Sequence, residues 1–243
     1  GKGTQEVSGQ AFPDLYHSKR DKKGKWSKPT ILSGDEETGV NTEAAEGSPS
    51  FNKKKNTIYF TRCKASEVKG KGAKAPKKTC SIYYSKKRGQ AYGESIQLPI
   101  GGDSLIVAHP CLTNKDKKMY FVADMPGGLG GKDIWTADYD KKEQSWVNIK
   151  NLGAEVNTAG DELYPFVHAD GTLYFSSNGH VGIGGFDIFK VEKEKDGWGP
   201  VLNMKFPINS SADDISIIFE DKNERGYLSS NRNGGRGKMD VYS

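Results

Sequence analysis

Residues 164–189 read YPFVHADGTLYFSSNGHVGIGGFDIF, and residues 109–135 read HPCLTNKDKKMYFVADMPGGLGGKDIW. The two stretches share one pattern: an apolar run, a tight turn, a Tyr-Phe run, a Gly-rich loop, then Asp-Ile-aromatic. The spacing is regular, with Asp133, Asp187 and Asp240 lying 54 and 53 residues apart. Tyr-Phe recurs at Tyr59-Phe60, Tyr120-Phe121 and Tyr174-Phe175, and more weakly at Tyr227-Leu228. Asp-aliphatic-aromatic recurs at Asp14, Asp133, Asp187 and Asp240, with Ser81-Ile82-Tyr83 as a degenerate copy. A period of about 50 residues means that one small sheet is the folding unit and is repeated.

Each copy reads as four short strands. In the copy at 164–189, Asp170-Gly171 between apolar runs is a hairpin signal. The second strand follows at Thr172–Ser176, and the Gly-rich loop spans Asn178–Gly185. The third strand begins at Asp187, and the fourth is the segment around Trp198. No stretch has a sustained helical period. The expected fold is therefore an all-β propeller of four-stranded antiparallel blades, five in number, the first of them incomplete. Residues 1–243 read as a single propeller domain excised from a longer multidomain envelope protein.

Composition agrees. Mean hydropathy is −0.72, but ten Phe, 11 Tyr and four Trp fall at repeat positions, which separates the chain from disordered sequences. No apolar run is long enough to cross a bilayer as a helix. The net charge of +5 resides largely in Lys-rich turns such as Lys53–Lys55, the usual place for solvated charge. One basic segment, residues 69–78, is an insertion between a second and a third strand. It lacks interleaved aromatics, which argues against nucleic acid. Cys63 and Cys80 flank that insertion, where antiparallel neighbours can meet disulfide geometry. A Cys63–Cys80 bond would indicate an oxidising compartment. Cys111, in a first strand, reads as a buried free thiol.

The segments Gly127–Trp135, Gly182–Phe189 and Ser229–Tyr242 resemble the Gly-Gly-x-Gly-Gly-x-Asp-Ile-Tyr signature of bacterial WD-like propeller repeats. The linker Leu152–Pro165, repeated in part at Gly39–Thr42, is similar to that family's inter-blade phrase. Ser81 and the basic insertion depart from it. Such repeats occur in Bacteroidetes envelope proteins that also carry TPR and OmpA-like peptidoglycan-binding domains. The resemblance implies a periplasmic, outer-membrane-associated scaffold in a type IX secretion or related envelope complex. Its partners would be envelope or secretion-complex proteins, with a peptide in the central channel as a further candidate. Any peptidoglycan contact would be made by a domain outside this chain.

The repeated Asp14, Asp133, Asp187 and Asp240 read as loop-fixing acceptors of backbone N–H groups, because a catalytic residue is needed once and not in every blade. Glu46, Glu162 and Asp214 each precede a first-strand anchor by three residues. They suit either the rim of a channel, with His109 and Tyr164 and with Ser48 and Ser216 nearby, or hydrogen bonding to inter-blade loops. The favoured interaction surface is the face carrying the second-to-third-strand and fourth-to-first-strand loops. Its candidates are Lys71, Lys74, Lys77, Lys78, Lys132, His180, Arg232 and Arg236. The expected function is non-enzymatic protein binding, with no cofactor and no metal. A glycan-binding or glycan-cleaving propeller using Glu46, Glu162 and Asp214 is the competing reading, since glycosidases need paired carboxylates with distinct roles.

Overall fold

The computed structural model describes residues 13–34, 37–65, 78–113, 115–220 and 225–243. It is a β-propeller of antiparallel sheets laid down in chain order, and no helix occurs among these residues. The chain divides into two compact units, 1–108 and 109–243.

In the first unit, β1 (Tyr16–His17) pairs with β2 (Thr30–Ile31). A four-stranded sheet follows, in the order β3 (Ala45–Phe51), β4 (Thr57–Ala65), β5 (Lys78–Arg88) and β6 (Ala91–Gln97). Its apolar faces alternate along the strands: Ile58 and Phe60 of β4 are buried and pack with Leu15, Val40 and Tyr92. A sheet face must bury itself against a neighbour, and here Leu15, Leu32 and the linker residue Val40 supply part of that cover.

The boundary between units falls within β7 (Val107–Leu112). β7 belongs to a sheet with β8 (Lys118–Ala123), β9 (Asp133–Asp140) and β10 (Ser145–Asn151). The next sheet joins β11 (Glu162–Val167), β12 (Leu173–Ser177), β13 (Asp187–Val191) and β16 (Leu202–Asn203). A small hairpin, β14 (Lys193–Glu194) with β15 (Gly197–Trp198), extends it. The last sheet has β17 (Asp214–Phe219), β18 (Gly226–Ser230) and β19 (Asp240–Tyr242). Between sheets of the second unit, Tyr120 and Ile134 pack against Leu173, Phe175, Phe189 and Val191, and Ile188 against Ile217 and Leu228. At about 25 cal/mol per Å² of apolar surface, these interleaved aromatics and aliphatics are the main stabilising term.

One expectation is corrected. Trp198 does not lie in the fourth strand of its sheet: it pairs with Lys193 in the small hairpin, and β16 fills the fourth position. Pro200 follows two residues after Trp198 and has no N–H to donate to a ladder, which accounts for the break. Trp198 instead meets the edge of Tyr120, with ring centroids 6.2 Å apart.

First strands share a further feature. Ser48, His109, Tyr164 and Ser216 have φ of 49°, 51°, 51° and 58°. The ladder slips there in three sheets, between Gly47 and Ser50, Leu163 and Phe166, and Ile215 and Ile218. A non-glycine residue in the left-handed region at a bulge frees its amide from the ladder. The Tyr164 amide then reaches His109 Nδ1 at 3.2 Å, and the Ser216 amide reaches Ser176 Oγ at 3.2 Å.

Candidate functional site

Three of the loops that join second to third strands, those after β8, β12 and β18, are built by one device. Asp133 accepts the amides of Leu129 (2.5 Å) and Gly130 (3.2 Å). Asp187 accepts those of Ile183 (2.8 Å) and Gly184 (2.9 Å), and Asp240 those of Arg236 (2.8 Å) and Gly237 (2.9 Å). A short carboxylate closing a turn on the amides just before it fixes the loop without help from the core. Asp14 stands in the same position relative to Leu15, but the residues before Pro13 are outside those described.

The glycines beyond the latch have a second cause. A Cβ on Gly130 would fall 2.3 Å from the Gly160 carbonyl oxygen, and one on Gly184 would fall 2.0 Å from that of Ala212. The linker into the next sheet passes over the loop at backbone distance, so no side chain fits. The loop position left free to vary is the residue between the glycines. It is Leu129, Ile183 or Arg236 in successive copies, and all three are exposed.

The linkers are held by a clamp that the sequence reading did not recognise. Asn157 accepts the Ile134 amide (2.8 Å) and donates to the Ile134 carbonyl (3.0 Å). Asn209 does the same to Ile188, at 2.8 Å in both directions, and Asn41 to Leu15 at 2.6 and 3.1 Å. The residue after each Asn is Thr or Ser, and its hydroxyl donates to a buried acid. Thr42 reaches Glu46 (2.6 Å), Thr158 reaches Glu162 (2.6 Å) and Ser210 reaches Asp214 (2.9 Å). The signal for this clamp was present, since Val-Asn-Thr occurs twice and Ile-Asn-Ser once at matching places.

Of the two readings of the acids, hydrogen bonding to the inter-sheet linkers is the one these contacts display. Glu46, Glu162 and Asp214 are buried and accept hydrogen bonds from protein donors, although Glu46 does so through Oε1 alone and its Oε2 has no partner. Glu162 also accepts the Thr158 amide and the Ser177 hydroxyl, at 2.9 and 2.8 Å. Glu46 pairs with the buried Arg62 (2.8 Å), and Asp214 with Arg232 (2.6 Å). Burial pushes the Asp214 carboxyl up, but hydrogen bonds from Ser230, Arg232 and Ser210 outweigh it and hold the group below its ordinary value. Carboxylates engaged at both oxygens, as Glu162 and Asp214 are, make poor general acids or bases. His109 and Tyr164, also expected at the rim, are brought together as stacked rings 3.8 Å apart, and both are partly buried. Burial raises the Tyr164 phenol above its ordinary value.

The cationic candidates separate into spent and displayed groups. Lys132 is paired with Asp161 (2.9 Å). His180 lies beside Phe175 and Phe189, with Nε2 2.8 Å from the Val156 carbonyl oxygen. Arg232 binds Asp214 and the carbonyls of Pro207 and Ile208, and lies over the Tyr242 ring. Lys78 and Arg236 are exposed. Lys71, Lys74 and Lys77 lie outside the described residues. Cys63 and Cys80 are bonded, with S–S 2.06 Å and Cα–Cα 4.0 Å, across facing positions of β4 and β5. Cys111 is a buried free thiol pushed up to about 11 by desolvation, and its sulfur accepts the Val167 amide. Among the described residues, no group of three or more His, Cys, Asp and Glu is placed to hold a metal ion.

No protein-family model matches the sequence, and no curated protein matches it. Solved structures are similar to it. A puromycin-hydrolyzing peptidase of Mycobacterium tuberculosis aligns with a TM-score of 0.50 and 12% identity, over 94% of this chain and 36% of that one. An alpha-L-arabinofuranosidase from Lactobacillus brevis gives 0.49 and 12%, over 88% and 77%. TolB from Acinetobacter baumannii gives 0.47 and 15%, over 93% and 48%. At these identities the likeness is one of fold. The chain spans about half the length of TolB and about a third of the length of the peptidase.

Proposed function

We propose that this chain is a non-enzymatic protein-interaction scaffold that acts through its loop face. The observation that carries the reading is the construction of that face. Carboxylate latches and Asn clamps fix the backbone, while the side chains of Leu129, Ile183 and Arg236 are exposed and differ from copy to copy. Variable side chains on loops held by a rigid framework suit recognition. Fold alone does not decide function. Against chemistry at Glu162 and Asp214 stands the engagement of both oxygens of each by Thr, Ser and Arg donors.

The finer setting we propose is the periplasm, in association with the outer membrane, within a type IX secretion or related envelope complex. Two observations support it. The Cys63–Cys80 bond suits an oxidising compartment. The Gly-x-Gly-Gly-x-Asp repeats and the Val-Asn-Thr linkers resemble those of WD-like propellers in envelope proteins such as PorE. Affinity capture from envelope extract of the source organism, read by mass spectrometry, tests the reading. Recovery of outer-membrane or secretion components, reduced by substitutions at Leu129, Ile183 and Arg236, is expected. A glycan-cleaving activity that disappears in Glu162→Gln would replace the scaffold reading with an enzymatic one.

A further inference from the structure

Asn-Gly occurs twice in the chain, at Asn178-Gly179 and Asn233-Gly234. Both pairs lie in second-to-third-strand loops, after β12 and β18. In this dipeptide the glycine amide nitrogen can attack the side-chain carbonyl carbon of the asparagine, because no Cβ on the glycine stands in the way. Ring closure needs the two atoms in near-attack contact. Exposure does not separate the pairs, since all four residues are exposed. Hydrogen bonding does.

The first pair is pinned. Asn178 Oδ1 accepts the Asp161 amide (2.8 Å), and the Asn178 amide donates to the Asp161 carbonyl (3.3 Å). The Gly179 amide, which would be the nucleophile, donates to Ser177 Oγ (3.0 Å). The linker crosses at backbone distance: a Cβ on Gly160 would fall 2.8 Å from the Gly179 nitrogen. Turning this peptide towards its own side chain breaks those bonds and meets the linker.

The last sheet repeats the pin on an Asn-Arg pair. Asn231 Oδ1 accepts the Asp213 amide (2.7 Å), the Asn231 amide donates to the Asp213 carbonyl (3.2 Å), and the Arg232 amide donates to Ser230 Oγ (3.1 Å). Asn233 is a further asparagine, two residues on, where the preceding copy has His180. His180 is anchored, with Nε2 2.8 Å from the Val156 carbonyl oxygen. Asn233 has no such anchor. Neither its side chain nor the Gly234 amide hydrogen-bonds any described residue. A Cβ built on Gly234, at a φ of 97°, meets nothing within 4 Å. The loop is held on both sides of the pair. Arg232 binds Asp214 and the Pro207 and Ile208 carbonyls, and Asp240 accepts the Arg236 and Gly237 amides.

We propose that Asn233 is a site of spontaneous deamidation and that Asn178 is protected from it. The Gly234 amide gives up its proton to water or hydroxide, and the nitrogen attacks Cγ of Asn233. The N–Cγ bond forms, the Cγ–Nδ2 bond breaks, and the amine leaves as ammonia after taking a proton from water. Water then opens the succinimide at either carbonyl, leaving aspartate or isoaspartate. No electrons are transferred: asparagine and water become a carboxylate and ammonium. The product sets a new negative charge between Arg232 and Arg236, and the isoaspartyl form adds a methylene to the loop backbone. The reaction needs only water and is independent of whether the loop face binds a partner.

The test is prolonged incubation of the whole chain at neutral pH, native and in denaturant, followed by peptide mass spectrometry. Exchange of amide for acid is read at each pair, and isoaspartate is scored with a protein-isoaspartate methyltransferase. In the native chain Asn233 should convert at least about tenfold faster than Asn178, since the pinned pair must first break its hydrogen bonds. In denaturant the two pairs should convert at like rates. Asn233→Gln should abolish the native conversion, because glutamine would have to close a larger ring. An unchanged melting temperature certifies that variant. Equal native rates at the two pairs overturn the proposal. So does an Asn233 that converts in denaturant and resists in the native chain.

Discussion

The sheet β3–β6 and the sheet made of β11, β12, β13 and β16 follow one plan, yet they close their loops by different means. In the later sheet, Asp187 latches the loop and Ser177 faces it across the ladder. In the earlier one, Ser81 stands at the Asp position, Arg62 faces it, and the loop base is closed by the Cys63–Cys80 bond. The difference extends into the following linker. Leu98 repeats the bond of Leu152 and Met204 to the third strand, at 2.8, 3.1 and 3.0 Å. The linker then carries Asp103-Ser104 in place of Asn-Thr or Asn-Ser, and Asp103 is exposed. The residue that aligns with Glu162 and Asp214 is Val107, which is buried. The residue opposite Asp133, in the place of Ser177, is Ala123. Where the clamp is missing, the acid and the hydroxyl that serve it are missing together. The acid is thus part of the linker's hydrogen bonding and is dispensable without it.

The largest effect should come from forcing the missing acid into the apolar copy. Val107→Glu buries a carboxylate with no Asn-Thr linker to receive it, and should cost about 3–5 kcal/mol. Urea unfolding followed by two probes measures this and reveals whether the two units unfold together. A cost below about 1 kcal/mol would mean that the position is adaptable and the comparison superficial. Next, Cys63→Ser with Cys80→Ser opens a loop of sequence separation 17. Chain-entropy reasoning puts the loss at about 3 kcal/mol. Adding Ser81→Asp should not restore it, because the segment before residue 81 lacks the Gly-x-Gly-Gly-x-Asp phrase of the latched loops.

A smaller loss is expected on the polar side. Glu162→Val leaves the Thr158 amide, the Thr158 hydroxyl and the Ser177 hydroxyl without their acceptor, costing about 2–3 kcal/mol. Ser177 Oγ also accepts the Gly179 and His180 amides (3.0 and 3.2 Å), so Ser177→Ala alone should be destabilising as well. In the double-mutant cycle the two losses should couple by at least about 0.5 kcal/mol; strict additivity would argue that Glu162 acts through packing and not through its bond to Ser177.

The repeat made most of the fold legible before any coordinates. The Gly-x-Gly-Gly-x-Asp phrase announces both the loop and its latch, because carboxylate and amides are near neighbours in the chain. The clamp was less legible. Asn157 acts on Ile134 from 23 residues away, and only the recurrence of Asn before Thr or Ser hinted at a common duty. Glu46, Glu162 and Asp214 were placed by periodicity on the correct strands, but periodicity does not say whether a side chain meets solvent or a hydroxyl. Trp198 misled because Pro200 interrupts its strand. The left-handed residues at Ser48, His109, Tyr164 and Ser216 share no residue type, so composition gave no sign of the bulge.

The last and smallest effect separates polar from apolar junctions by pH. The Asp214 carboxyl is held below its ordinary value of 3.8. A depressed folded-state value means that the native chain binds fewer protons than the unfolded chain near that pH. The stabilisation from Asp214 is therefore complete above 3.8 and is lost as pH falls below it, through the folded-state value. The penalty of Asp214→Asn should be constant from neutral pH down to about 5 and shrink below about 4. Val107→Ala removes apolar volume at the aligned position, at a cost of about 1–3 kcal/mol, and that cost should not vary with pH over the same range. Parallel pH profiles for the two variants would mean that Asp214 is not charged in the fold, and that its contacts to Arg232 and Ser210 are not those of a carboxylate.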